Sequence, residues 1–162
     1  MCPNQKGAVG YYDECLLNYS NKTISGTTGD RIAILSNDQN ASDVDRFNAA
    51  LALLLNELRN DVAAGGLLRK FASGNTTGAN SVTIYGLVQC TPDLSGPHCS
   101  NCLENQINTF MVQYGGKIGG RILQPICNFR YEIYRFFNGS TLVVSPPPLP
   151  RATPPVPSAP EG

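Results

Sequence analysis

CTPDLSGPHCSNC, residues 90–102, places three cysteines within thirteen positions and sets His98 directly before the second of them. Three kinds of chemistry use such clusters, and each demands different surroundings. A four-thiolate zinc site has the required count in Cys90, Cys99, Cys102 and Cys127, but zinc ribbons present two close pairs on tight turns, whereas Cys90 and Cys127 each stand alone. No metal is therefore expected, and His98 reads as a surface residue beside a disulfide. A redox-active C-x2-C at a helix start has a lowered thiol pKa, but it belongs in a strand–helix–strand setting without a third cysteine just upstream. The structural reading remains: in an oxidising compartment each bridge contributes roughly 2–4 kcal/mol, a decisive share for a small core.

The 162 residues leave room for one domain with appendages. Twelve basic residues balance twelve acidic ones, so no long-range field draws the chain to nucleic acid or an anionic membrane. No apolar run reaches the roughly 18–20 residues that span a bilayer. The N-terminal MCPNQKGAVGYYDEC also lacks the basic and apolar regions of a signal peptide. Six cysteines and five N-x-S/T sequons, at Asn18, Asn21, Asn40, Asn75 and Asn138, nevertheless match the composition of an oxidised, glycosylated extracellular protein. The two observations are reconciled if an export signal lies upstream of Met1, which sets the expected location outside the cell or on the outer face of the plasma membrane.

Along the chain, RIAILS at 31–36 alternates as a short strand, and NDQNAS follows as a loop. Ser42 with Asp45 resembles a capping arrangement ahead of Phe47, Leu51, Leu54, Leu55, Leu58 and Val62, which are spaced as one face of a helix ending at Gly65-Gly66. Strands are expected around Phe71 and across SVTIYGLVQC at 81–90, separated by the polar loop SGNTTGAN. A second helix starts near Ser95 or Pro97, turns Leu103, Ile107, Phe110 and Met111 inward, and ends at Gly115-Gly116. GGRILQPIC and NFRYEIYRFF give two further strands, the latter with Phe129, Tyr131 and Ile133 on one face and Arg130, Glu132 and Tyr134 on the other. Both helices are free to cover one face of an antiparallel sheet, which predicts an α+β fold. After residue 138 a proline-rich, disordered linker is expected, SPPPLPRATPPVPSAPEG being unable to donate regular backbone hydrogen bonds. Residues 1–30 contain an echo: Cys2, Cys15 and Tyr19 repeat the spacing of Tyr114, Cys127 and Tyr131, as if they closed an upstream copy of the domain at 31–138.

The C-x8-C-x2-C of Cys90, Cys99 and Cys102, with GGR at 119–121 and CNFRYEIYRFF at 127–137, resembles the ginkbilobin-homologous, or salt-stress response/antifungal, domain of land plants. VQCTPDLS, GGRIL and RYEIYRFF are similar to the second such domain of cysteine-rich receptor-like kinases, and CPNQKGAVGYYDECLLNYSN is similar to the end of their first. The resemblance implies an antiparallel sheet of about five strands covered by two helices and stapled by disulfides. It implies a bridge from Cys90 to Cys99, and one from Cys102 to a cysteine after the second helix, where this chain has Gln113-Tyr114. Cys102 and Cys127 are thus expected either to bridge each other or to stay free.

Some members of that family are mannose-binding antifungal proteins, and the resemblance maps their Arg and Glu onto Arg121 and Glu132, with Asn37 the nearest candidate for their Asn and Asp38 its rival. An Arg donor and a Glu acceptor can hold vicinal hydroxyls by charge-assisted hydrogen bonds. The alternative is a cross-strand ion pair between Arg121 and Glu132. No catalytic set emerges, because His98 is the single histidine and neither a nucleophile motif nor a phosphate loop occurs. The expected function is non-catalytic extracellular recognition, without cofactor, of an unknown ligand or partner protein. Two other readings are a mannose-binding lectin and a thiol sensor of extracellular oxidants that uses an unpaired Cys102 or Cys127.

Overall fold

The structure is a computed structural model that describes residues 4–12, 16–21, 23, 32–66, 69–138 and 142–144. Helix α1 spans Val44–Ala64 and buries Phe47, Leu51, Leu54, Leu55, Leu58 and Val62, the stripe expected from their three- and four-residue spacing. Its cap differs from the Ser42 expectation. Asp43 is the N-cap, its Oδ1 accepting from the Arg46 N–H at 3.2 Å, while Ser42 Oγ accepts from Asn80 Nδ2 at 2.9 Å. Either side chain can satisfy an orphan helix amide, and the pairing of Ser42 with a distant loop leaves the task to its neighbour. Helix α2 spans Gly96–Tyr114; Ser95 caps it by accepting from the His98 N–H, and Leu103, Ile107 and Phe110 are buried as expected, joined by Gln106. The chain leaves α2 through Gly116, whose φ of 89° is costly for a side-chain-bearing residue.

Strands β1 (Gly7–Tyr11) and β2 (Leu16–Ser20) form a hairpin of their own. The main sheet contains β3 (Ala33–Ser36), β4 (Phe71–Thr77), β5 (Thr83–Cys90), β6 (Gly120–Leu123), β7 (Cys127–Glu132) and β8 (Leu142–Val144), in the order β3-β6-β7-β5-β4-β8. The five strands from β3 to β4 are antiparallel, and β8 adds a sixth, parallel to β4. Two boundaries move relative to the sequence reading. The stretch expected as the loop SGNTTGAN is strand up to Thr77, because Ala72, Gly74 and Thr76 are small or β-branched and fit beneath α1, leaving a turn at 78–82. The sheet also continues past residue 138, with Leu142–Val144 paired to β4 before the prolines begin. Cys2, Cys15 and residues 145–162 lie outside the described residues.

Alternation sorts the sheet into two faces. Ile84, Val88, Ile122, Phe129 and Tyr131 turn towards the helices and are buried. Phe110 reaches down from α2 to meet Phe129 and Tyr131 edge-on, with ring centroids 5.6 Å from each. Tyr131, fully buried, donates its hydroxyl to the Lys117 carbonyl at 2.8 Å, and burial, aided by the Glu132 carboxylate, pushes its pKa well above the usual value. Ile133, expected on this face, is exposed because β7 ends at Glu132.

The opening cysteines are staples. Cys90 and Cys127 are cross-strand partners on β5 and β7. Cys90 bonds to Cys99 and Cys127 to Cys102, so adjacent strands are tied to successive positions on one side of α2. The open alternative for Cys102 and Cys127 closes as a bridge, and neither is the unpaired thiol that an oxidant sensor would need.

Candidate functional site

The other face of the sheet is open to solvent in part and carries polar groups. Because Ile122, Phe129 and Tyr131 point inward, Arg121, Arg130 and Glu132 point outward, and the β6–β7 register sets Arg121 directly opposite Arg130. Asn37 follows β3; its N–H donates to the Gly119 carbonyl and its Oδ1 accepts from the Gln39 N–H, both at 2.8 Å. Gly119 lies directly against the Glu132 carboxylate, so a side chain there would displace that carboxylate from its present position. Asn37, Arg121 and Glu132 therefore line one shallow pocket of about 280 Å³, together with Ser36, Gly119 and Tyr134.

Arg130 organises this pocket, although sequence reasoning gave it no role. Its Nε donates to Glu132 Oε1 at 3.1 Å and its Nη2 to Tyr134 Oη at 3.1 Å, while its guanidinium lies 4.4 Å from the centre of the Phe136 ring. The ion pair thus includes a neighbour two positions along the same strand, which the Arg121–Glu132 expectation did not contain. The signal was present in the alternation itself: positions 130 and 132 share a face in any strand. The ion pair holds the Glu132 carboxylate, an acceptor, among the residues that line the pocket.

A second cavity, of about 320 Å³, adjoins it on the same face and shares Arg121 and Arg130. Tyr11, Tyr12 and Leu16 of the hairpin form one wall, and Phe71, Gln89 and Phe136 belong to the remainder. Of the sequons, Asn21, Asn40 and Asn138 are exposed, whereas Asn18 in β2 and Asn75 in β4 are half-buried. Among the described residues, no group of three or more His, Cys, Asp or Glu is arranged to hold a metal ion, and no helix is long and apolar enough to cross a membrane.

The described residues thus form a two-helix, disulfide-stapled antiparallel sheet with a polar open face. Comparison with known proteins gives the class. The salt stress response/antifungal family matches residues 35–134, and the chain belongs to that family. It is 42% identical over 164 aligned residues to cysteine-rich receptor-like protein kinase 8 of Arabidopsis thaliana, covering 97% of this chain and 24% of that protein. It is 40% identical to the putative cysteine-rich receptor-like protein kinase 9 of the same plant, covering 87% of this chain and 54% of that protein. The chain thus spans from about a quarter to half the length of these relatives, and what it matches is their ectodomain, not a kinase domain. Among solved structures it resembles the tandem DUF26 ectodomains of two Arabidopsis thaliana cysteine-rich receptor-like proteins, PDLP8 and PDLP5. For PDLP8 the TM-score is 0.64 at 18% identity, over 81% of this chain and 58% of that one. For PDLP5 it is 0.55 at 19% identity, over 64% and 50%. These likenesses support the fold.

Proposed function

We propose that this chain is the extracellular recognition portion of a receptor-like kinase or a secreted relative, and that it contacts its ligand through the open face of the sheet. The observation that carries this reading is the asymmetry of the sheet: one face holds the core and both staples, while the other gathers Asn37, Arg121, Arg130 and Glu132 around one pocket. The hairpin β1–β2 is then the end of an upstream copy of the domain, and the proline-rich tail a spacer. Residence outside the cell is tested on protein isolated from plant tissue. We expect Cys90, Cys99, Cys102 and Cys127 without free thiols, and a mass decrease on enzymatic removal of N-glycans from Asn21, Asn40 or Asn138. A reduced, unglycosylated protein from the cytosol would sink the proposal.

Convergence of Asn37, Arg121 and Glu132 favours a second, narrower reading, in which the ligand is a mannose-type glycan. The guanidinium of Arg121 and the Asn37 amide would donate to vicinal hydroxyls, with Glu132 accepting. Titration of the native chain with mannan, against Arg121→Ala, tests it: binding should be lost in the variant. Equal affinities, or no binding by either, would remove the glycan and leave a protein or other ligand on this face.

A further inference from the structure

The register of the sheet divides its open face into transverse rows. Asn37, Gly119 and Glu132 lie together in one; Arg121, Arg130 and Leu87 form the next; Leu123, Asn128, Gln89 and Phe71 form a third. The pocket of about 280 Å³ lies over the first two rows, and the cavity of about 320 Å³ over the second and third. The two are therefore successive along the strands and share the arginine row. From Glu132 back to Asn128 the face extends along β7 for about 13 Å, at roughly 3.3 Å per residue. A single pyranose ring seated beside Asn37 covers only part of that length.

The larger cavity has a lining that suits a second sugar ring. Gln89 and Asn128 are cross-strand partners, both half-buried, and each carboxamide carries donors and an acceptor. Tyr12 and Phe71 bring aromatic rings that are 65% and 44% exposed, although burial of such surface is favourable. In the smaller pocket Tyr134 is likewise exposed, and its hydroxyl accepts from Arg130. A pyranose matches this mixture, since its C–H face packs on a ring while its rim of hydroxyls bonds to amides and guanidinium groups. Apart from the two shared arginines, one of them paired with Glu132, the described lining of the larger cavity is neutral.

We propose, building on the mannose-type reading of the Asn37 pocket, that the ligand is an oligosaccharide segment lying along β7. One sugar sits among Asn37, Arg121 and Glu132, and the next over Asn128 and Gln89, with the arginine row under the linkage between them. The shallowness of the first pocket and its continuation past Arg130 into a second cavity select for a chain over a free sugar. In the second subsite the carboxamides select for hydroxyl groups.

The test is an NMR titration of the oxidised, isotope-labelled chain with methyl mannoside and with linear mannotriose. Mannotriose should bind about tenfold more tightly. Both sugars should shift the amides around Asn37 and Glu132, but only mannotriose those around Gln89 and Asn128. Replacing Gln89 and Asn128 together by Ala should remove the tenfold gain and leave the affinity for methyl mannoside unchanged; should that variant fail to fold, the contrast between the two sugars in the native chain decides the matter by itself. Equal affinity for the two sugars overturns the proposal while the single-sugar site stands, as do mannotriose shifts confined to Asn37 and Glu132. Binding of neither sugar removes the glycan reading itself, and the extended site with it.

Discussion

Arg121 and Ile122 are neighbours in sequence, as are Tyr131 and Glu132, yet each pair is divided between two faces with opposite duties. On the helix-covered face, Phe110, Phe129 and Tyr131 interlock and two disulfides tie β5 and β7 to α2. On the open face, the contacts are an ion pair, amides and aromatic edges around solvent-accessible cavities. Period-two alternation lets one strand serve both, so the polar set on the open face can change while the stabilising set stays intact. The contrast makes quantitative demands, which fall in descending order from one face to the other.

The largest effect is expected of Phe110→Ala, which removes the ring packed on Phe129, Tyr131 and Tyr114 and should cost about 3–5 kcal/mol in urea unfolding. A loss below about 1 kcal/mol would mean that this face is not where stability resides. Replacing Cys102 and Cys127 together by Ser opens a loop with a sequence separation of 25 and should cost about 3–4 kcal/mol. An unchanged melting temperature on reduction of the native chain would contradict it.

Tyr131→Phe should cost about 1–2 kcal/mol, because the Lys117 carbonyl loses its donor. It also carries a pH signature. The folded-state pKa of Tyr131 is raised above the ordinary value of 10.0, so its contribution is fully present below about pH 10 and is lost as pH rises beyond. Above that point the native chain should lose up to about 1.4 kcal/mol more per pH unit than Tyr131→Phe. Parallel alkaline decline of the two proteins would show that this hydroxyl is not shielded. The smallest stability effect belongs to the open face: Arg121→Ala should stay within about 0.5 kcal/mol of the native chain while removing mannan binding. A large destabilisation there would erase the contrast between the faces.

Both helices and most strands were legible in the sequence because their signals are local and periodic, as in the stripe from Phe47 to Val62. The strand content of SGNTT was hidden by Gly74 and Asn75, residue types depleted in strands, since Gly74 owes its place to the close cover of α1. Strand β8 was hidden by the prolines after it. Disulfide connectivity is a tertiary fact, so the partner of Cys102 could not be read from spacing. At the pocket, Arg121 and Glu132 were legible from a motif, whereas Arg130 was legible only from the alternation that puts it on the same strand face as Glu132.

The placement of the four cysteines also bears on how the protein acquires its bonds. Cys90 and Cys127 face each other across two strands, and Cys99 and Cys102 are one helical turn apart, so the same sulfurs can close as 90–127 and 99–102. That isomer would leave the helix without a disulfide to the sheet. Native pairing therefore depends on α2 docking before the last thiol is oxidised, which makes the timing of oxidation relative to collapse, and access to a catalyst of disulfide exchange, part of what secures a correct molecule.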